Sequence, residues 1–145
     1  MMKKYAKLMS MVLAVCILMT STTTVFAARG GESGIMPQWS DVSTITSSME
    51  VDKWGIASIS ATGKASTTSS ADTVEVIAEL QKYENNDWNT IKTWTDKQNI
   101  QFAGVSGRYA IAKGYSYQLY ITVKAYKGTK LLETATDTYY YGTYN

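Results

Sequence analysis

The chain has 145 residues, with 14 Lys and Arg against 12 Asp and Glu, one proline, one cysteine and no histidine. That length suits one domain built on one core. Without histidine, and with its cysteine close to the start, the chain has no Ser-His-Asp or Cys-His nucleophile system and none of the usual zinc sites.

Lys3, Lys4 and Lys7 precede an apolar run from Leu8 to Met19, broken by Ser10, and a Ser/Thr stretch then leads to Val25-Phe26-Ala27-Ala28. A cationic start, a short apolar centre and small residues at the cut are the layout of a secretory signal peptide. The run is too short to span a bilayer, which takes roughly 20 residues. Residues 1–27 are therefore expected to be removed, with cleavage after Ala27 or its neighbour Ala28. Cys16 lies inside the apolar run behind Val15, where lipid attachment would need a small residue, so a lipid anchor is not expected. Removing the leader takes away three lysines, which leaves eleven cations against twelve anions and a net charge of −1. A nucleic-acid partner, which calls for a clustered basic patch, is not expected. The mature chain has no cysteine and so no disulfide framework. No second apolar segment or sorting signal stands near the C-terminus. The expected product is a secreted extracellular protein, free or held non-covalently at the cell surface, with no membrane contact after cleavage.

Residues 28–37 include Gly30, Gly31 and Gly34 and are expected to be flexible. Residues 38–145 are then the single domain, with Pro37-Gln38-Trp39 marking the start of order and Trp39 a lid on the core. Val42 to Val51 reads as a polar strand whose apolar positions, Val42, Ile45, Met49 and Val51, are poorly periodic. Such a strand suits a sheet edge or a bulge. From Trp54 to Ala65, residues Ala57, Ile59, Ala61 and Gly63 share one face, with Ser58, Ser60 and Thr62 opposite. Ser66 to Ala71 is a loop. From Thr73 to Tyr83, residues Val74, Val76, Ala78 and Leu80 alternate with Glu75, Glu79 and Gln81. A turn centred on Asn85-Asn86 pairs Tyr83 with Trp88, Leu80 with Ile91, Glu79 with Lys92 and Ile77 with Trp94. After Lys97, a short strand through Ile100 and Phe102 is expected to reach a turn at Gly104–Gly107.

The plainest stretch runs from Ile111 to Thr138. Tyr117, Leu119, Ile121 and Val123 alternate with Gln118, Tyr120, Thr122 and Lys124, the period of a half-buried strand. Gly128-Thr129 suits a type II′ turn. That turn pairs Lys127 with Lys130, Lys124 with Glu133, Val123 with Thr134 and Thr122 with Ala135. In all, about seven short strands and no helical stripe outside the leader predict an all-β antiparallel sandwich.

Ile111, Gly114, Tyr117, Leu119, Ile121 and Val123 keep the spacing Leu-x-x-Gly-x-x-Tyr-x-Val-x-Val-x-Val. This resembles the tyrosine corner of fibronectin type III and related immunoglobulin-like sandwiches, although Lys113 stands where proline is usual. The resemblance implies an immunoglobulin-like β-sandwich, with structural roles for Tyr117 and Gly114; Gly128 is structural through its turn. A second resemblance rests on the leader, Pro37-Gln38-Trp39, Trp88-Asn-Thr-Ile-Lys-Thr-Trp94, Gly114-Tyr-Ser-Tyr117 and Lys124-Ala-Tyr-Lys-Gly128. Over nearly its whole length the chain is similar to an uncharacterised family of small secreted proteins of Gram-positive bacteria, a domain of unknown function. That resemblance implies export and a β-sandwich. It implies no activity and carries no catalytic residues.

Asp41, Glu50, Asp52, Asp72, Glu75 and Glu79 show no spacing that singles out a glycosidase-like pair. Glu84 to Asp87 reads as a turn rather than a Ca²⁺ loop. No cofactor, metal site or catalytic residue is expected. Aromatic side chains are the one surplus. Tyr83, Trp88 and Trp94 are expected on one face of the Asn85-Asn86 hairpin, with Tyr120 and Tyr126 on the polar face of the other. Such rings could stack on sugars or on a protein partner. Alternatively, Trp39, Trp54 and Trp94 fill a core short of Leu and Phe. Three functions stay open: a non-enzymatic extracellular or cell-envelope binding and adhesion module, a carbohydrate-binding module, and a small secreted antagonist or toxin-like protein. Cell-wall glycan and extracellular protein are the candidate partners.

Overall fold

Seven antiparallel strands form two facing sheets in the computed structural model, which describes residues 39–145. The expected leader, the segment 28–37 and Gln38 lie outside the described residues. In chain order the strands are β1 (Val42–Val51), β2 (Ile56–Ala65), β3 (Thr73–Glu84), β4 (Asp87–Gln98), β5 (Phe102–Ala110), β6 (Tyr115–Lys127) and β7 (Lys130–Tyr144). One sheet has the order β1-β2-β5 and the other β4-β3-β6-β7. The all-β antiparallel sandwich read from the alternation is the fold observed.

The core follows that alternation. Val74, Val76, Ala78 and Leu80 of β3 and Tyr117, Leu119, Ile121 and Val123 of β6 are buried, and they face Ala57, Ile59, Ala61 and Gly63 of β2. Bulk on one sheet meets small residues on the other. A Cβ placed on Gly63 would stand 2.6 Å from a methyl of Val123, so this glycine is required by the closeness of the two sheets. Trp39 packs on the core from its margin. β1 is both an edge strand and a bulged one, since its register slips past Ser43.

Three expectations need correction. Gly104 and Gly107 do not make a turn; both lie inside β5. A Cβ on Gly107 would collide with the indole nitrogen of Trp94, so the missing side chain makes room for that ring. Trp54 is not in the core. It stands at the tip of the β1–β2 turn, 77% exposed. Asp52 accepts the N–H groups of Trp54 and Ile56, both at 2.9 Å, and Lys53 lies over the indole.

The third correction concerns register. Both hairpins pair as expected beside their turns, Tyr83 with Trp88 and Lys127 with Lys130. The Asn85-Asn86 turn has positive φ at both residues, and the second turn has it at Gly128, as the two turn types require. Beyond the turns, Ile91 and Leu132 are each skipped by the ladder. Leu80 consequently faces Lys92, Glu79 faces Thr93 and Ala78 faces Trp94, while Lys124 faces Thr134, Val123 faces Ala135 and Thr122 faces Thr136. Because side chains alternate, one extra residue moves everything after it to the other face. Glu133 is thereby turned away from Lys124. Its carboxylate accepts the N–H groups of Ser40, Asp41 and Val42 at 3.1, 2.7 and 2.7 Å and so fastens the start of β1. Lys124 instead lies 3.8 Å from Glu75 on the neighbouring strand.

Candidate functional site

The outer face of the β4-β3-β6-β7 sheet is set by the parity opposite to the core. One row of register partners across it is Thr90, Gln81, Gln118 and Tyr140; the next toward the middle is Thr93, Glu79, Tyr120 and Thr138. Trp88 and Tyr83 are paired at the turn end. Trp88 stands on β4 and Tyr140 on β7, with β3 and β6 between them, a span of roughly 14 Å at three interstrand spacings. Their ring centroids are nevertheless 6.0 Å apart and nearly perpendicular. The two side chains therefore lean toward each other over the sheet. Tyr83 completes the group at 5.2 Å from Trp88.

These are favourable aromatic geometries, and they stand on solvent rather than in the core. Tyr83 is 42% and Tyr140 54% exposed, with Trp88 half-buried between them. Beside the rings runs a polar relay. Gln118 donates to Gln81 at 2.7 Å, Gln81 donates to Thr90 at 3.3 Å, and Thr90 donates to Glu79 at 3.3 Å. The face thus combines ring surfaces, two fixed amides, hydroxyls and one carboxylate.

Of the five aromatic residues singled out from the sequence, the structure brings Tyr83 and Trp88 into contact and places Tyr120 on the same face. Trp94 is not with them. The skipped Ile91 turns it inward, where it packs half-buried against the core and over Gly107. Tyr126 lies on the outer face but at the far end, and it is already engaged. It donates to Glu75 at 2.8 Å, and Lys97 covers its ring at 4.0 Å. Burial, together with the Glu75 carboxylate, pushes its phenol up to about 12. Tyr140 belongs to the Tyr139-Tyr140-Tyr141 run near the end of β7. Its role depends on another skipped residue, Tyr141, between Gly142 and Tyr140 in the β6–β7 ladder.

Tyr117 lies near the start of β6, Gly114 just before that strand and Gly128 in the β6–β7 turn. The buried Tyr117 hydroxyl donates to the Ala112 carbonyl at 2.8 Å and accepts the Ala112 N–H at 3.1 Å, closing a tyrosine corner. Gly114 and Gly128 both have positive φ. Several carboxylates are spent on the backbone: Asp52 caps the β1–β2 turn, Glu133 holds β1, and Asp72 accepts the Gly128 N–H at 2.9 Å. That bond and the ammonium of Lys127 hold the Asp72 carboxyl below the usual range.

A second surface is the outer face of β1-β2-β5. There a shallow, open depression of about 220 Å³ is lined by Thr46, Ser47, Ser48 and Ser60. It offers hydroxyls without a ring or a charge. Among the described residues, no group of three or more His, Cys, Asp or Glu is placed to hold a metal ion. No protein-family model, curated protein or solved structure matches the chain.

Proposed function

We propose that this chain is an exported, non-enzymatic binding module of the immunoglobulin-like kind that acts outside the cell or at its envelope. Its ligand seats on the ring cluster of Tyr83, Trp88 and Tyr140. The observation that carries this reading is the placement of that cluster. Three large rings are held in contact across four strands on a solvent face, where the fold gains less from them than from rings inside.

The strand order β1-β2-β5 against β4-β3-β6-β7, together with the Tyr117 corner, supports the immunoglobulin-like assignment. The layout of residues 1–28 supports export. A non-enzymatic role is supported by the absence of histidine and by carboxylates committed to turn caps and strand ends.

Two experiments test the reading. Full-length chain expressed in a Gram-positive host is expected in the medium, its mass shortened by the first 27 or 28 residues; retention inside the cell at full mass would overturn export. The exported product is then mixed with a purified cell-envelope preparation and sedimented. Wild type is expected in the pellet and Trp88→Ala with Tyr140→Ala in the supernatant, all with cooperative melting. Equal sedimentation of both would remove the ring cluster from the function.

A further inference from the structure

We propose that the ligand held by this face is a neutral polysaccharide, with sugar rings against Tyr83 and Tyr140 and sugar hydroxyls against the Gln81–Gln118 amide pair. This rests on the binding reading above and adds the class of ligand.

The argument starts from what a sugar presents: a weakly apolar face of C–H groups, edged by neighbouring hydroxyls that each donate and accept. An aromatic ring matches the face, and a carboxamide matches the edge because it offers a donor and an acceptor side by side. Gln81 and Gln118 sit in one row beneath the ring cluster and are fixed by their mutual bond at 2.7 Å. Each amide nitrogen has two hydrogens, and the relay uses one from each. The other N–H of each, the second oxygen of Glu79 and the Thr90 hydroxyl provide bonding capacity next to the exposed rings.

The surroundings favour a glycan over a protein. The core of a protein interface is apolar and depleted in charge, whereas the rows around these rings carry Thr90, Thr93, Glu79, Ser116, Thr138 and Thr143. Charge favours a neutral polymer over an anionic one. Glu79 lies in the relay and Glu84 and Asp87 close the adjoining turn; Lys82 is paired with Glu84 at 2.9 Å, and on the outer face Lys124 is paired with Glu75 at 3.8 Å and Lys97 lies over the Tyr126 ring.

The test is affinity electrophoresis of the exported chain through gels containing mixed-linkage β-glucan, galactomannan, arabinoxylan or the anionic polygalacturonate. The envelope preparation is also sedimented with the protein, intact and after periodate cleavage of its vicinal diols. Retardation by at least one neutral polymer is expected. Removing a ring or an amide, in Tyr140→Ala or Gln118→Ala, should weaken it about tenfold, the loss of one good contact. Tyr140 is more than half exposed, so its alanine variant decides the matter even if Trp88→Ala fails to fold. Retardation by polygalacturonate alone would overturn the neutral-polymer assignment, and envelope binding that survives periodate with no retardation by any polymer would overturn the glycan assignment and leave the binding module standing. No retardation by any polymer, with envelope binding also absent, would overturn both.

Discussion

The two outer faces of this sandwich are built on the same antiparallel ladder and meet the same solvent, yet they carry different chemistry. The β1-β2-β5 face has rows Thr46–Thr62–Gly104, Ser48–Ser60–Ser106 and Glu50–Ser58–Arg108. Apart from Glu50 and Arg108 in the last row these are short side chains, and the Thr46 and Thr62 hydroxyls bond each other. Its one large ring, Phe102, lies at a corner beside Lys64. The β4-β3-β6-β7 face carries Tyr83, Trp88, Tyr120 and Tyr140, with two amides between them. The first sheet covers its solvated face mainly with serine, threonine and a few charged side chains, and has no ring cluster. The rings of the second are therefore not what an exposed sheet requires, and the contrast separates scaffold from candidate site.

The contrast extends inward and can be broken most severely there. Gly63→Val would push methyl groups into Val123 and Val76, across the gap where the small-residue sheet meets the bulky one. Overpacking of this kind should cost about 3 kcal/mol, read as a lower urea midpoint with an unchanged slope. A loss under a third of that would mean the sheets can separate freely. Glu133→Ala should be next, at about 2 kcal/mol, because it leaves three N–H groups at the start of β1 without their charged acceptor. Glu133→Gln should recover part of the loss, and hydrogen exchange should rise first at Asp41 and Val42. Uniform exchange across the sheet would argue that the carboxylate is not a latch. Tyr117→Phe follows at about 1 kcal/mol. It removes the corner's two bonds to Ala112 and should leave envelope binding unchanged, since Tyr117 points into the core.

A subtler effect is expected at high pH, at the far end of the ring-bearing face. The folded Tyr126 phenol sits at about 12, and the ordinary value is 10.0. Between those two values an unfolded chain has released this proton while the folded chain keeps it. The stabilisation is therefore complete below pH 10 and is lost as pH climbs toward 12. Denaturation midpoints measured across that window should fall less steeply for Tyr126→Phe than for wild type. Parallel curves would show that the phenol's contact with Glu75 does not stabilise the fold.

Strand positions and core were legible because they depend on alternation, and β2, β3 and β6 alternate cleanly. What failed was the effect of single skipped residues. Nothing in Lys-Ala-Tyr-Lys-Gly-Thr-Lys-Leu-Leu-Glu announces that Leu132 leaves the ladder, and the attractive Lys124–Glu133 charge pair argued for the wrong register. In β4 the pattern misleads as well: Trp88 and Trp94 share a parity, yet the skip at Ile91 leaves Trp88 outside and turns Trp94 against the core. The glycines misled for a related reason: Gly104 and Gly107 were read as turn formers, whereas Gly107 is small because Trp94 lies on it. The ring cluster was half legible. Its hairpin pair came directly from the turn, but Tyr140 joins it through the fold-wide order β4-β3-β6-β7, which no local pattern encodes.

The smallest expected effect is the one that most sharpens the comparison. Ser48→Ala with Ser60→Ala removes two hydroxyls from the depression on the β1-β2-β5 face. Each is a surface substitution away from caps and core, so stability should stay within about 0.5 kcal/mol of wild type. Retardation by polysaccharide should be unchanged, because these hydroxyls lie on the opposite sheet from Gln81 and Gln118. Loss of retardation in this variant, with retention in Tyr140→Ala, would mean that the sugar reads hydroxyl rows rather than rings. The aromatic cluster would then be an outer clasp joining β4 to β7, and its removal should lower the melting temperature instead.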